Sequence, residues 1–512
     1  MGSLLYLQAS HRSQGVLTGN LQRPLVTSGQ IEGLPWDDRY KTYVTMAGLN
    51  HVNRIGRVYH DNALINALVE RWRQETHTFH LPVGEMTITL EDVAVLLGLR
   101  VDGEALCPPR DLDWPCVVEE LLGNVDLTTF RKGSRSPRIR ISWLRNCFSY
   151  CPPDADESTV QKYARAYLLM LVGTVLFPDH FGDSISARYL PLFKDFNKSG
   201  SYSWGSGVLA FLYRELCSAT KTEKRQIGGP IILLQMWSWE RFPFWQPERA
   251  QSYRAAVLGC VDIDQRPPLG YRWSGCLVTG KPLAAYRNEI NILDETMVNW
   301  MPYVGLRYSL PEICYESAQL WRTTAPLLHF WTVEMYNPER VSRQFGFYQT
   351  IPPFLRCTDE ALHGIKRGNS DGWLTKYATY VNAWGDRWNL LLADQRPFDI
   401  AMHNAYMQWY SGATILHLRE PNTYVMRDRI REMLGGGGRA LGRCFQFFPG
   451  TTPEDPCEHD APGMFAPPDG KMKYMLLDED EQGESSCPGA KRDHIFTSIK
   501  TAKRSAKRSK RF

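Results

Sequence analysis

The sequence lacks an apolar run long enough to cross a membrane. Its longest such run, Tyr167 to Phe177, has about half of the length that a transmembrane helix requires. The N-terminus has neither the apolar stretch nor the cleavage site of a signal peptide. It opens with Met1 and Gly2, but Tyr6 stands where a myristoylation signal requires a small hydroxyl residue. We therefore expect no membrane attachment.

Cysteine pairs at CxxC spacing are also missing, although the chain has 12 cysteines. The cysteines are scattered from Cys107 to Cys487, and several stand among apolar neighbours, as Cys217 does after Leu216. In a long chain without an export signal, this pattern is typical of reduced thiols, most of them buried. The sequence thus predicts an intracellular protein.

A strong excess of one charge is missing too, since 59 Lys and Arg nearly balance 55 Asp and Glu, for a net charge of +4. The whole chain is therefore not an evident polyanion binder. The charges are unevenly placed, however, with an acidic block at 478–484 before a basic tail. The candidate nuclear-import residues in this tail are Lys491, Arg492, Lys503, Arg504, Lys507, Arg508, Lys510 and Arg511. This cluster predicts that the protein resides in the nucleus.

Apolar and aromatic residues make up 43% and 12% of the chain, which is enough for a sizeable core. Gly and Pro interrupt the first 35 residues, and the region after about Pro449 is rich in Pro, Gly and charge. We predict a mainly α-helical fold with short β-hairpins. The predicted parts are an N-terminal arm at 1–35, one large helical domain at 36–430, and a disordered Gly/Pro-rich and charged tail at 431–512.

A helix is predicted at the start of the region between 61 and 99. Asp61 is placed to accept hydrogen bonds from the first free backbone N–H groups. An apolar face at helical spacing follows, made of Leu64, Ile65, Leu68, Val69 and Trp72. We therefore expect Trp72 to lie on the buried face of this helix.

A β-hairpin and a second helix are predicted directly afterwards. Apolar and polar residues alternate on both sides of a turn at 82–84. Thr89 and Asp92 have the spacing of a capping box, and Gly98 is well placed to end the helix that follows. The region therefore predicts a helix, hairpin and helix in succession.

Further elements are predicted along the rest of the domain. Apolar periodicity indicates helices at Gln161–Phe177, Val208–Cys217, Trp373–Leu392 and Met402–Tyr410. Residues 231–237 fit either a buried helix or a strand, because a short apolar run does not distinguish them. Residues 328–353 alternate between apolar and polar around a turn at Asn337 and Pro338.

Two groups of metal-binding residue types are present. His77 and His80 stand in the predicted hairpin with Glu75 and Glu85 nearby. An odd separation along a strand places side chains on opposite faces, whereas zinc needs three or four convergent ligands, so we expect structural hydrogen bonds from both histidines. The second group has irregular spacing near or within the predicted tail and consists of Cys444, Cys457, His459 and Cys487. The sequence therefore predicts no metal site.

Three blocks of sequence carry a resemblance to a known family. The first spans 64–99 and includes VERWRQETHTFHLPVGE at 69–85; the second is NPERVSRQFG at 337–346 with IPP at 351–353; the third is YMQWY at 406–410. In order and spacing, these blocks resemble the plant mobile domain, also called the aminotransferase-like plant mobile domain, over about residues 1 to 415. Maintenance-of-meristems-like proteins are members of this family. The chain departs from the pattern at 411–415, where members often have an Arg-rich helix.

The resemblance implies a nuclear role in regulating gene expression, in silencing transposable elements and in meristem maintenance or development. It also implies a nuclear protein partner, since some relatives are fused to or act with a protein named after serine/threonine-protein phosphatase 7. The phosphatase motifs GDxHG, GDxxDRG and GNHE are missing, as Gly182-Asp183 continues with Ser184-Ile185. The sequence predicts no strand, Gly-rich loop and helix unit that would hold pyridoxal phosphate. We therefore expect a non-enzymatic protein with no catalytic residues and no cofactor.

The occurrence of this domain within plant transposons suggests an alternative, a transposon-derived nucleic-acid-binding protein. Chromatin or nucleic acid is then a candidate partner, and the candidate contacts form a basic loop of Arg131, Lys132, Arg135, Arg138 and Arg140. A cleft lined by Trp and Tyr without Lys or Arg would favour a protein partner. A continuous Lys and Arg surface would favour nucleic acid.

Overall fold

The three-dimensional structure is a computed structural model. It describes residues 4–27, 31–107, 112–247 except 124, 127 and 134–136, 262–353 except 279, and 375–419 except 376. The fold is mainly α-helical with short sheets, most of them antiparallel, which confirms the predicted fold class. The predicted tail at 431–512 lies outside the described residues.

Helices form most of the fold. Their bounds are α1 (Ser13–Thr18), α2 (Lys41–Met46), α3 (Asn50–Asn53), α4 (Asn62–Val69), α5 (Leu90–Leu97), α6 (Trp114–Leu121), α7 (Ile141–Phe148), α8 (Glu157–Leu171), α9 (Phe196–Gly200), α10 (Trp204–Ala219), α11 (Ile231–Arg241), α12 (Leu283–Asn291), α13 (Ala378–Gly385) and α14 (Ile400–Ala413). A π-helical turn, Val172–Leu176, extends α8, and a 3₁₀-helical segment covers Pro338–Phe345. Within the described part of the chain, no helix combines the length and the apolar character needed to cross a bilayer.

The strands are short and pair locally. Their bounds are β1 (Val26–Thr27), β2 (Trp72–Arg73), β3 (Thr78–Leu81), β4 (Gly84–Met86), β5 (Arg138–Arg140), β6 (Ser184–Ser186), β7 (Gln226–Ile227), β8 (Leu327–His329) and β9 (Thr332–Glu334). Strands β2, β3 and β4 form one antiparallel sheet, and β5–β6 and β8–β9 form antiparallel pairs. Strand β1 pairs with β7 in parallel.

The predicted helix caps are confirmed. The Asp61 carboxylate accepts hydrogen bonds of 3.0 Å from two backbone N–H groups in the first turn of α4. Thr89 and Asp92 form the predicted capping box at the start of α5. Gly98 ends α5 with a φ of 62°, in the left-handed region that glycine adopts without strain. Local hydrogen bonding thus sets the bounds of both helices around the hairpin.

Helices α10 and α11 lie in the core. Every residue of α11 is buried, so its polar side chains need internal partners. Arg241 forms an ion pair of 2.9 Å with Asp92 of α5, and Glu240 accepts a hydrogen bond of 2.9 Å from the indole of Trp273. Residues 231–237, for which the sequence left helix and strand open, are therefore part of a fully buried helix.

The position of Trp72 differs from the prediction. Helix α4 ends at Val69, and Trp72 lies in β2, where it pairs with Phe79 of β3. Its ring packs against Tyr213 of α10 with a centroid distance of 5.1 Å. An aromatic residue three positions after a helix can reach the core either from a further helical turn or from a strand. The apolar spacing does not distinguish these two cases, and the prediction of a helix at Trp72 was wrong.

Residues 4–27 also differ from the predicted N-terminal arm. They contain α1 and β1, and both His11 and Arg12 are buried. One ring nitrogen of His11 lies 2.8 Å from the carbonyl oxygen of Trp72, and Arg12 donates a 3.0 Å hydrogen bond to the carbonyl of Ala219. Polar anchors attach this segment to the core, and apolar periodicity does not reveal such anchors.

Two further regions agree with the prediction in part. Residues 328–353 begin with the β8–β9 hairpin, but the turn of that hairpin lies at Phe330 and Trp331. Asn337 and Pro338 instead open the 3₁₀ segment. The helix predicted at Trp373–Leu392 is confirmed over α13, while residues 373, 374 and 376 lie outside the described residues.

Candidate functional site around the hairpin

The sheet of β2, β3 and β4 is buried on both faces, although it carries charged side chains. Glu85 lies opposite His80 in the β3–β4 register. Its carboxylate accepts hydrogen bonds from the Thr78 hydroxyl at 2.9 Å, the Arg340 Nε at 2.8 Å and the Tyr406 hydroxyl at 3.1 Å. We call these five residues, Thr78, His80, Glu85, Arg340 and Tyr406, the hairpin network.

Electrostatics fix the protonation of this network. Burial would raise the pKa of Glu85, but the charge of Arg340 and the hydrogen bonds from His80 and Arg340 lower that pKa to about 2. Burial lowers the pKa of His80 to about 4. Because the ionised Glu85 can only accept, the neutral imidazole donates from Nε2 toward it and accepts at Nδ1 from the Thr414 hydroxyl. The network is therefore an ionised carboxylate beside a neutral histidine at neutral pH.

The hairpin network joins the three sequence blocks in space. Gln344 of the second block bonds both backbone polar groups of Thr87, at 2.7 and 2.8 Å. From the third block, the Tyr410 hydroxyl donates to the carbonyl of Leu81 at 3.1 Å. The sequence identified these blocks but did not predict that they meet. Buried groups of this kind must be paired to be tolerated, so these contacts hold distant parts of the chain together.

A second set of buried polar contacts lies beside the hairpin. Arg287 of α12 makes two hydrogen bonds with the Glu70 carboxylate, at 2.7 and 2.8 Å. Arg71 donates to the side chain of Asn291 at 2.6 Å, and Asn291 in turn bonds both the backbone N–H and the carbonyl of Leu418. These contacts fix the segment after α14 against the hairpin. Arg287 and Asn291 stand outside the sequence blocks, so the sequence did not point to them.

An open cavity of about 430 Å³ lies where these segments meet at the hairpin turn. We call it the hairpin cavity, and it is lined by Pro82, Val83, Asn291, Leu293, Asp294, Glu295, Leu416, His417 and Arg419. Its lining contains neither Trp nor Tyr, and it includes one Arg and two carboxylates. The cavity therefore matches neither the aromatic cleft nor the continuous basic surface considered above.

Glu295 of the cavity lining is connected through Arg343 to two aromatic residues. Glu295 pairs with Arg343, whose guanidinium lies 3.8 Å from the ring centre of Trp300 and 4.5 Å from that of Phe398. Burial would raise the pKa of Glu295, but hydrogen bonds from His403 and Arg343 lower it to about 2. Within four positions after Trp300 or Phe398 along the chain, three apolar side chains are exposed, Met301, Ile400 and Met402, and we call them the rim. Mixed charge next to exposed apolar groups is typical of a protein-binding surface.

The two candidate histidines contact different partners, but the strand alternation expected from their spacing is not the reason, because His77 lies in the turn before β3 with a φ of 55° and only His80 is in the strand. The Nδ1 of His77 lies 2.8 Å from the carbonyl oxygen of Met335, whereas His80 contacts Thr414 and Glu85. Both histidines are buried and make structural hydrogen bonds. The other candidate ligands, Cys444, Cys457, His459 and Cys487, lie outside the described residues.

Two residues of the basic loop, Arg131 and Arg138, are paired within the protein, whereas Lys132 is exposed. Arg138 is buried and makes two hydrogen bonds to Asp179, at 2.6 and 2.9 Å. Arg131 bonds Asp183 at 3.0 Å. Arg135 and the nuclear-import candidates Lys491 to Arg511 lie outside the described residues. Internal pairing leaves Arg138 unable to contact a phosphate.

Comparison with known proteins identifies relatives over most of the chain. A family model described as the plant mobile domain matches residues 48–411. The chain is 34% identical over 423 residues to Protein MAIN-LIKE 1 of Arabidopsis thaliana, which covers 81% of this chain and 79% of that protein. It is 32% identical over 426 residues to Protein MAINTENANCE OF MERISTEMS of the same species, with 80% and 83% covered. No solved structure matches the chain.

A longer relative matches as well. The chain is 38% identical over 427 residues to a serine/threonine-protein phosphatase 7 long form homolog of Arabidopsis thaliana. The match covers 80% of this chain but spans only 31% of that relative's length. The family model, in contrast, covers more than half of the 512 residues and includes all three blocks that build the hairpin network. The chain therefore belongs to the plant mobile domain family.

Proposed function

We propose that this protein is a non-enzymatic nuclear interaction protein that acts in gene regulation, in silencing of transposable elements and in meristem maintenance or development. Family membership and the relatives named for meristem maintenance support this proposal. The proposed partner is a nuclear protein, and a phosphatase-7-like protein is the first candidate. The activity of the phosphatase-named relative is not transferred, because the chain spans only 31% of it.

The observation that carries the proposal is how the charged residues of the family blocks are used. Glu70, Arg71, Glu85 and Arg340 are buried and bonded to other parts of the same chain. A catalytic group must reach its substrate, and these groups do not reach the surface. What the fold presents to other molecules at this site is the hairpin cavity and its rim. This arrangement suits recognition of a protein segment better than chemistry.

A quantitative pull-down from plant nuclei would test the surface. We would compare the wild type with Arg419→Glu in the cavity and Met402→Lys on the rim. Matched controls carry the same changes at exposed positions outside the cavity lining and rim, Arg23→Glu and Leu277→Lys. We expect mass spectrometry to identify a partner that the wild type recovers. Both site variants should recover at least about tenfold less of this partner, which corresponds to a loss of roughly 1.4 kcal/mol in binding free energy. Equal recovery with all four variants would contradict the proposed surface.

Localisation is tested separately with a fluorescent fusion. Deleting Lys491 to Phe512 removes the densest Lys and Arg cluster of the sequence, so the fusion should shift toward the cytoplasm. A fusion of these residues alone to a reporter excludes import on a bound partner. A full-length protein that stays outside the nucleus would contradict the proposal itself.

Binding to nucleic acid is the result that would replace the proposal of a protein partner. Titration of labelled duplex DNA and RNA at two salt concentrations measures binding and its salt slope. Tight binding with a steep slope, together with unchanged partner recovery, would favour the transposon-derived nucleic-acid-binding protein.

A further inference from the structure

A cluster of three potential metal ligands lies on the side of the hairpin that His77 faces. His77 precedes β3, Cys217 is on α10 and Glu334 is on β9. One ligand atom of each residue lies within 4.8 Å of the other two, and all three residues are buried. We call these residues the His77 cluster. In the described part of the chain, the His77 cluster is the place where three His, Cys, Asp or Glu side chains come close enough to hold one metal ion.

The hydrogen bond of His77 fixes which nitrogen faces the cluster. A carbonyl oxygen can only accept, so Nδ1 must carry the proton that it shares with Met335 at 2.8 Å. In the neutral imidazole, Nε2 then carries a lone pair. This atom lies 3.2 Å from a carboxylate oxygen of Glu334. Two electron-rich atoms at that distance require a proton or a cation between them.

Each ligand of the cluster has a partner that orients it. The indole N–H of Trp72 donates to the Cys217 sulfur at 3.3 Å. Arg214 pairs with one oxygen of Glu334, and the other oxygen faces His77. Metal-binding histidines commonly donate their second N–H to a backbone carbonyl, and ligands in metal sites are oriented by such outer contacts. The His77 cluster has this arrangement at all three positions.

We propose that His77 Nε2, Cys217 Sγ and Glu334 bind one divalent ion of the zinc type in the core. This inference is independent of the proposed function and departs from the sequence-based expectation of no metal. Nitrogen, thiolate sulfur and carboxylate oxygen are the ligands that zinc prefers in proteins. With bond lengths of about 2.0–2.3 Å, tetrahedral ligands lie roughly 3.3–3.8 Å apart, so the cluster needs only a small contraction.

The proton balance of the His77 cluster allows a divalent cation to bind in place of two protons. Without metal, the alternative is a buried ion pair in which His77 is an imidazolium and Cys217 is a thiol. Binding of a divalent cation releases the Nε2 proton of His77 and the thiol proton of Cys217. The net charge of the cluster with Arg214 therefore stays the same, so no additional net charge is buried.

The test measures metal in the purified full-length chain after zinc loading and gel filtration. The variants are Cys217→Ser, which retains a hydrogen-bond acceptor for Trp72, and His77→Asn. Asn is chosen because His77 has a φ of 55°, and Asn tolerates this left-handed backbone. The matched control is Cys314→Ser, which also removes a buried thiol but lies outside the cluster.

We expect about one zinc per chain in the wild type and in Cys314→Ser, and a loss of at least about tenfold in both cluster variants. Circular dichroism and gel filtration show whether each variant is folded. Less than about 0.1 zinc per folded wild-type chain would overturn the proposal. Retention of zinc in Cys217→Ser would also overturn it, because the ion would then be held elsewhere in the chain.

Cobalt gives a second measurement that does not depend on unstable variants. Replacement of zinc by Co²⁺ in the wild type should produce the near-ultraviolet charge-transfer band of a thiolate ligand and the visible bands of tetrahedral coordination. Trp72→Phe keeps a smaller aromatic ring but removes the N–H that contacts the Cys217 sulfur, so metal affinity should fall about 10-fold while the bands remain. A wild-type cobalt spectrum without a thiolate band would refute the role of Cys217.

Discussion

Lowering the pH from 7 to 5 should destabilise the protein through His80. Burial lowers the pKa of this imidazole to about 4, whereas histidine in an unfolded chain titrates near 6.5. Between these values the unfolded state binds a proton that the folded state does not bind. Stability therefore decreases as the pH falls through this window. At pH 5 the pH lies about 1.5 units below the pKa of the unfolded state, so the free energy of unfolding is lowered by roughly 2 kcal/mol.

The pH range separates this effect from that of Glu85. The folded pKa of Glu85 is about 2, below its usual 4.5, so the stability it contributes is lost only below about pH 4.5. Burial also lowers the pKa values of His11 and His60, and these residues act in the same direction as His80. Burial raises the pKa of Glu91 to about 8, so this carboxyl acts in the opposite direction over the same pH range. The contribution of His80 therefore has to be taken from a variant. His80→Gln does not titrate and retains an amide that can donate toward Glu85.

Urea unfolding followed by Trp fluorescence at pH 7 and pH 5 provides the assay. The wild type should lose roughly 2 kcal/mol more than His80→Gln between the two pH values. Equal losses in the wild type and His80→Gln would refute the argument that His80 is buried in its neutral form.

Two substitutions test the packing and the charge pairing of the hairpin. Trp72→Ala should lower the free energy of unfolding by about 3–5 kcal/mol because it removes a fully buried large ring; thermal melting measures this, with the exposed Trp388→Ala as control. Arg340→Met should cost about 3–5 kcal/mol in urea unfolding, because it leaves the Glu85 carboxylate buried without its cation. Adding Glu85→Gln to Arg340→Met should recover part of that loss. A loss below about 1 kcal/mol in either single variant would contradict the structure.

Features governed by near neighbours in the chain were predictable from the sequence. The Asp61 cap, the Thr89 and Asp92 capping box and the end of α5 at Gly98 depend on hydrogen bonds within four residues, and all are present. The hairpin turn and the helix at α8 follow from local apolar patterns in the same way. Such features carry their physical cause in the adjacent sequence.

The candidate site could not be predicted in that way, because its contacts are distant in sequence. Glu85 and Arg340 are 255 positions apart, and Glu85 and Tyr406 are 321 apart. Periodicity arguments treat a charged residue as exposed, whereas here pairing allows it to be buried. The His77 cluster also joins three distant segments, and a search for closely spaced ligands does not detect it. The unusual density of Glu, Arg and His in an apolar block was the available indication.

The burial of these groups separates two roles within the chain. Glu85, Arg340 and Tyr406 determine how the hairpin, the 3₁₀ segment and α14 are assembled, and all three side chains are buried away from outside molecules. The rim and the cavity lining are held in place by this network but take little part in it. Substitutions in the network should therefore reduce the amount of folded protein, whereas substitutions at Met402 or Arg419 should change partner binding at unchanged stability. If both kinds of substitution acted only on stability, the cavity would have no role beyond the fold itself.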